Sequence, residues 1–338
     1  MGICFSSASL EKQVRDENSV FVLEDNDSCP ERGMRRLACL YSQQGKKGLN
    51  QDAAILCKDY GVEDGVFCGV FDGHGRSGHI VSRMVRDNLP ALLLSQHNAL
   101  LLDDEDHRSA GGDDTSSADG EEFSDVSPDM FDEWKEACIK AFRDMDNELE
   151  EQLPLDCSCS GSTAVSVIQQ GRDMIIANLG DSRAVLGTVS GDGRLEAVQL
   201  TIDLKPNVPQ EAERIKKNNG RVFARKDEPH VQRVWLPDVD FPGLAMARAF
   251  GDFELKNYGV ISIPQVAYHR LNDRDRFVVL ATDGVWDVLD NEMVVSIVSS
   301  TGKKEEASKA VVEAAVRAWR FTFPSSKVDD CSAACLFF

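Results

Sequence analysis

The chain has 338 residues, 42% of them hydrophobic, which is enough apolar material for a sizeable core and excludes global disorder. Its formal net charge is −20, which excludes nucleic acid as the main partner, because phosphate backbones call for clustered Lys and Arg. No apolar run reaches the roughly 18 residues that a membrane-spanning helix needs.

Residues 1–34 are polar and irregular and read as a flexible tail. The tail opens with Met1-Gly2-Ile3-Cys4-Phe5-Ser6, which fits N-myristoylation with Gly2 as acceptor and Ser6 in the favoured place. One acyl chain binds a membrane only marginally, so Cys4 is the candidate for a second, palmitoyl anchor. The expected location is the cytoplasmic face of the plasma membrane, peripheral and lipid-anchored, with a cytoplasmic fraction.

Residues 35–338 read as one domain. Strand-like runs occur at Leu37 to Tyr41, Ala53 to Cys57 and Val66 to Phe71. The pattern predicts a helix over 77–95 with Ile80, Met84, Leu89 and Leu92 or Leu93 on one side. Residues 103–133 then hold 13 Asp and Glu against one basic residue, Arg108. Within them, 103–127 contain almost nothing apolar and read as a disordered acidic insertion. Phe131, Trp134, Cys138, Phe142 and Met145 recur at helical spacing and predict a core-facing helix over 129–152.

Four strand-like runs follow, at 162–169, 173–179, 183–189 and 196–201, separated by turn residues such as Gln170-Gly171-Arg172. This is the pattern of an antiparallel meander. Pro209 to Asn219 reads as a short helix stopped by Gly220. Phe277 to Ala281 is a strand, Asn291 to Ser300 and Glu305 to Phe321 are helices, and Cys331 to Phe338 closes the chain as a strand. The class is α+β. The ten cysteines are scattered with no C-x-x-C pair, as expected of reduced thiols packed in a core.

Asp72, Asp181 and Asp283 each follow a strand-like run, and Asp329 precedes one. A fold that gathers strand ends would bring these carboxylates together, where they repel one another. Hard divalent cations with oxygen ligands relieve that repulsion, so a binuclear metal site is expected. Asp72-Gly73 and Asp283-Gly284 both end strands in a residue that permits close backbone approach, and the Gly73 carbonyl can itself be a ligand.

The series resembles the metal-dependent protein phosphatases of type 2C, particularly the plant members. The motifs run in family order: Gly48-Leu49-Asn50-Gln51-Asp52-Ala53, Phe71-Asp72-Gly73-His74-Gly75, Gly161-Ser162-Thr163-Ala164 and Gly180-Asp181-Ser182-Arg183-Ala184. They continue with Leu200-Thr201-Ile202-Asp203-Leu204-Lys205-Pro206, Gly243 to Asp252, Ala281 to Val288 and Asp329-Asp330-Cys331-Ser332. The lipidation-like start and Trp235-Leu236-Pro237 resemble one plant branch.

The resemblance implies a four-layer α-β-β-α sandwich, two antiparallel sheets flanked by helices. It implies a Ser/Thr phosphatase with two Mg²⁺ or Mn²⁺ ions, acting by direct attack of a metal-bridging hydroxide without a phospho-enzyme. In the implied ligand set Asp72 bridges both ions, and the Gly73 carbonyl, Asp283 and Asp329 hold one of them. Asp52 reaches the other ion's shell through water. Asp181 and Asp287, with Asp283, match a third, weaker metal position. His74 matches the general acid. Lys47 stands where the phosphate-binding arginine is common, and Gln51 where Glu is common, so a lysine replaces a bidentate fork and a charge is lost. These two departures leave an alternative, a catalytically weak, membrane-tethered scaffold that binds phosphoproteins or kinases. The expected partners are phosphoprotein substrates, protein kinases and the membrane surface, and the expected state is a monomer. Residues 205–242 correspond to the family's flap beside the site, where Trp235 reads either as a core anchor or as an exposed flap residue.

Overall fold

The computed structural model describes residues 12–13, 20–24, 37–110, 128–152 and 155–338. Gly2, Cys4 and 111–127 of the acidic insertion lie outside the described residues. In chain order the first elements are β1 (Lys12–Gln13), β2 (Phe21–Glu24), β3 (Leu37–Gln43), β4 (Asp52–Lys58), β5 (Val66–His74), α1 (Gly78–Ala110) and α2 (Pro128–Glu151). Next come β6 (Gly161–Ser162), β7 (Ala164–Gln170), β8 (Asp173–Leu179), β9 (Arg183–Val189), β10 (Leu195–Gln199) and α3 (Pro209–Lys217). They are followed by β11 (Arg221–Arg225), β12 (Glu228–Trp235), β13 (Pro242–Leu244), β14 (Phe250–Gly251), α4 (Phe253–Lys256) and β15 (Gln265–Arg270). The chain ends with β16 (Asp275–Ala281), α5 (Asp283–Trp286), α6 (Asn291–Ser300), α7 (Ala307–Thr322) and β17 (Cys331–Phe337).

Two antiparallel sheets dominate. One runs β1-β4-β5-β7-β8-β15, with β6 and β14 branching from β5, and the other runs β10-β9-β16-β17-β3-β2. Side chains alternate between the faces of each strand, so register decides which layer each joins. Ala54 and Leu56 of β4 meet Leu40, Leu280 and Leu336 between the sheets, while Ala53, Ile55 and Cys57 face the opposite way toward α1 and α2. In the second sheet Val279, Ala281, Cys335 and Phe337 face out against α6 and α7. Both faces of the central strands are therefore covered, which is why they read as continuous apolar runs despite being antiparallel. The architecture is the expected four-layer sandwich. Each large apolar side chain fully buried in it stabilises the fold by about 1.5–3 kcal/mol.

The structure departs from the sequence expectation in four places. The polar first segment contributes strands: β2 pairs with β3 at the sheet edge and buries Leu23, and β1 pairs with β4. Helix α1 does not stop near residue 95 but continues through Pro90 to Ala110, well into the acidic segment. Its buried stripe is Val81, Val85, Leu89 and Leu93, four residues apart, whereas Ile80 is 41% exposed. Residues 221–244, within and just beyond the segment that corresponds to the flap, form a separate three-stranded sheet, β11-β12-β13, for which no strands were expected. Trp235 is the anchor of that small sheet: it is buried, stacks on Phe223 at 5.0 Å and donates its Nε1–H to the Phe223 carbonyl.

Candidate active site

The acidic residues gather because neighbouring antiparallel strands bring starts and ends to the same edge. β5 ends in Asp72-Gly73-His74 directly beside the start of β4, so that Asp52 and Asp72 are cross-strand partners. β8 ends and β9 begins around Gly180-Asp181, where Gly180 takes a left-handed φ of 98° that favours glycine. β16 ends at Ala281, and Thr282 after it is the N-cap of α5, whose first residue is Asp283. Asp329 lies two residues before β17, the neighbour of β16. These ends open on a cleft of about 600 Å³.

Lys47, Asp72, Gly73, His74, Asp181, Asp283, Asp287 and Asp329 all line this cleft. Asp52 is not among them. It is buried behind, and its carboxylate accepts a 2.9 Å hydrogen bond from Thr282 Oγ1. Thr282 Oγ1 in turn accepts from the Ser332 backbone N–H, which ties β4, β16 and β17 together under the site. The backbone of Asp72 is fixed by Thr163, whose hydroxyl accepts the Asp72 N–H while its own N–H donates to the Asp72 carbonyl.

The electrostatics are those of crowded carboxylates. Burial, followed by the charge of Asp283, pushes the Asp72 pKa well above the usual range. Burial and the charge of Asp181 do the same to Asp283. Burial and Asp330 raise Asp52 to about 7. Two lysines offset part of this negative field. Lys47 forms an ion pair with Asp329, and Lys205 Nζ lies 3.7 Å from Asp181 and 3.8 Å from Asp287. For both lysines burial opposes the charged form, but the neighbouring aspartates win and the pKa is raised.

Magnesium and manganese take oxygen donors, and the aspartates lining the cleft supply them. Two acceptor atoms, Gln51 Oε1 and Asp181 Oδ1, are buried without a hydrogen-bond partner. A Cβ on Gly73 would stand 2.3 Å from the Gly78 carbonyl oxygen, so only glycine lets the backbone pass between the aspartate and α1. This donor set fits hard cations. Among the described residues, however, no three acidic, His or Cys side chains already form a closed metal cage. The side chains instead lean on the nearest cation or hydroxyl: Asp329 on Lys47, Asp52 on Thr282, and Asp181 with Asp287 on Lys205. The Lys205 ammonium thus sits between Asp181 and Asp287, two of the acids that the resemblance assigns to a third metal.

His74 closes one wall. Its Nε2 lies 2.6 Å from Asp252 Oδ2, and the Asp252 side chain is only 2% exposed. Burial works against protonating the ring, but the Asp252 carboxylate outweighs it and the pKa is raised.

The protein phosphatase 2C family model matches residues 42–319. The chain belongs to the protein phosphatase 2C family. Probable protein phosphatase 2C 12 of rice (Oryza sativa subsp. japonica) is 55% identical across the whole of this chain and 91% of its own length. Probable protein phosphatase 2C 33 of Arabidopsis thaliana is 50% identical over 90% of this chain and 68% of that protein. Among solved structures, a serine-threonine phosphatase 2C from Toxoplasma gondii superposes with a TM-score of 0.72 at 25% identity, covering 90% of this chain and 95% of the other. A bacterial serine phosphatase, at 15% identity and a TM-score of 0.54, shares the fold. The protein phosphatase 2C relationship makes this chain a protein serine/threonine phosphatase.

Three residues important to this phosphatase 2C site escaped the sequence reading, though each sits in a quoted motif. Asp252 carries His74. Lys205 neutralises Asp181 and Asp287. Asp330 accepts the backbone N–H groups of Gly45 at 2.7 Å and Gln51 at 2.9 Å, and so holds the loop that presents Lys47. Their motif membership was a signal, but each role depends on which segment lies opposite, and spacing does not encode that. The flap closes the other wall with His230, Val231, Gln232 and Arg233 of β12.

Proposed function

We propose that this chain hydrolyses phosphoserine and phosphothreonine by direct in-line attack of water on phosphorus, with no phospho-enzyme and with two Mg²⁺ or Mn²⁺ ions as cofactors. Asp72, the Gly73 carbonyl, Asp283 and Asp329 are the residues that would hold the ions, with Asp52 behind them. When bound, such ions lower the pKa of a water and offset charge on the phosphoryl oxygens.

The chain's own groups account for the rest. His74 gives a proton to the Ser or Thr oxygen as its bond to phosphorus breaks. Lys47 adds positive charge at the cleft mouth as a point charge, without the bidentate geometry of an arginine. A protein nucleophile is not needed, and Cys159, the one cysteine lining the cleft among the described residues, supports this. Burial and the charge of Asp252 raise the pKa of Cys159, which keeps the thiol protonated and poorly nucleophilic.

The observation that carries this reading is the convergence of Asp72, Asp181, Asp283, Asp287 and Asp329, from four remote segments, on one cleft. The test is hydrolysis of a phosphothreonine peptide with Mn²⁺ added. Turnover that an Asp72→Asn variant lacks supports it, and turnover no higher than that variant's overturns it. We further propose peripheral attachment to the plasma membrane through Gly2 and Cys4, on the strength of the N-terminal motif alone.

A further inference from the structure

Gly161 of β6 is paired on one side with His74 of β5 and on the other with Gly251 of β14. The strand between the histidine and the Gly251-Asp252 segment therefore has no side chain at the crossing point. A Cβ placed on Gly161 would lie 2.5 Å from Asp252 Oδ2 and 2.9 Å from His74 Nε2. The missing methyl is the space in which the two side chains meet.

The carboxylate is fixed from behind. Asp252 has a left-handed φ of 52°, and its N–H donates to the Ser160 carbonyl at 3.0 Å. The preceding Gly251 N–H donates to Asp146 Oδ1, and Asp146 Oδ2 accepts from Lys256 Nζ at 2.6 Å. A non-glycine residue held at positive φ costs free energy, and the neighbouring hydrogen bonds hold it there. On the other edge of the ring, His74 Nδ1 is buried with no hydrogen-bond partner.

We propose that Asp252 is the positioning residue for His74: it accepts the Nε2–H and fixes the ring plane. The proposal rests on the reading of His74 as general acid. In the step, the P–O bond to the Ser or Thr oxygen breaks and its electron pair stays on that oxygen. His74 gives that oxygen a proton, and the neutral ring that remains keeps its other proton, held by Asp252. Without Asp252 the ring turns freely and either tautomer forms, so protonation loses its geometry.

The test compares two leaving groups, because para-nitrophenolate departs without a proton whereas a threonine alkoxide does not. His74→Ala, Asp252→Ala, Asp252→Asn and the double alanine variant are assayed with a phosphothreonine peptide and with para-nitrophenyl phosphate. We expect His74→Ala to lower kcat on the peptide by about 100-fold or more, the scale of a lost general acid, and to lower the aryl phosphate rate about tenfold less. Asp252→Ala is expected to shift the ratio of the two rates in the same direction, and the double variant to add almost nothing. Asp252→Asn, which keeps an oxygen acceptor, is expected to restore part of the ratio, and it serves as the variant of record should the alanine chain fail to fold. If Asp252 substitutions depress both substrates equally, or neither, while His74→Ala keeps its contrast, the positioning role is wrong and the general-acid reading stands. If His74→Ala itself shows no contrast between leaving groups, the general-acid reading falls and takes this proposal with it.

Discussion

The ammonium of Lys205 lies 3.7 Å from the carboxylate of Asp181 and nearly as close to Asp287, so a side chain occupies the place between two acids that the resemblance assigned to a weaker metal. Lys205→Met keeps the length of the stem and removes the charge. It leaves a buried Asp181 facing Asp287 uncompensated. We expect the variant to lose about 1–3 kcal/mol of stability without divalent ions, since the lysine is partly solvated. Added Mg²⁺ should raise its thermal midpoint more than it raises that of the parent chain. Equal Mg²⁺ shifts for the two proteins would show that Lys205 is not standing in for a cation.

Asp330 offers a second test, of how the Lys47 loop is held. Asp330→Ala leaves the N–H groups of Gly45 and Gln51 without acceptors, at a cost of about 1–3 kcal/mol for each if they stay buried. KM for a phosphopeptide should rise as the loop loosens, while Asp330→Asn, which retains one acceptor oxygen, should lie between the two. Chemical denaturation and steady-state kinetics on the three proteins decide the matter.

Glu211 is buried at the base of the flap and takes a two-pronged contact from Arg248, at 2.9 and 2.6 Å, plus one from Arg214 at 2.7 Å. Burial alone would raise its pKa, but the hydrogen bond and charge of Arg248 hold it below the usual range. Removing the carboxylate in Glu211→Ala strands two partly buried guanidinium groups, which costs about 3–5 kcal/mol. Urea denaturation is the check. A loss below about 1 kcal/mol would mean that solvent already satisfies those arginines.

His97 stacks on Trp134 at 3.7 Å, and its Nε2 is buried without a partner. Burial lowers its pKa from 6.5 to about 4. The unfolded chain therefore takes up this proton first as the solution is acidified. The contribution of neutral His97 is fully present above about pH 6.5 and is lost as pH falls from there toward 4. Thermal midpoints measured across that window should fall, and His97→Phe, which keeps a ring on Trp134, should flatten the slope. An unchanged slope would assign the acid sensitivity elsewhere.

The layers of this fold were legible because burial on both faces leaves long apolar runs, and β4, β5, β16 and β17 all advertise themselves in that way. Strand-end aspartates were legible for the same reason, each sitting where such a run meets a turn. What stayed hidden is set by partners distant in sequence. Phe21–Glu24 is a strand only because the edge of β3 offers a ladder and room for Leu23. Helix α1 carries two adjacent apolar rows, Ile80 with Met84 and Val81 with Val85, and only the surface packed against the helix selects the second as the buried one. The pairing of His74 with Asp252 needs Gly161 between them, and a glycine in a short strand announces nothing about what crosses above it.

Gly2→Ala removes the acceptor of the N-terminal acylation motif. The expected result is release of the protein from membrane pellets to the soluble fraction, read by fractionation of cells expressing each form, and unchanged partitioning would refute anchoring through that glycine.

Calorimetric titration of metal-free protein with Mn²⁺ is the most direct trial of the site. The account predicts saturable binding of two ions by the parent chain, with both lost in Asp72→Asn and one weakened in Asp283→Asn. Binding that is absent in the parent, or undiminished when Asp72 is replaced, would contradict it.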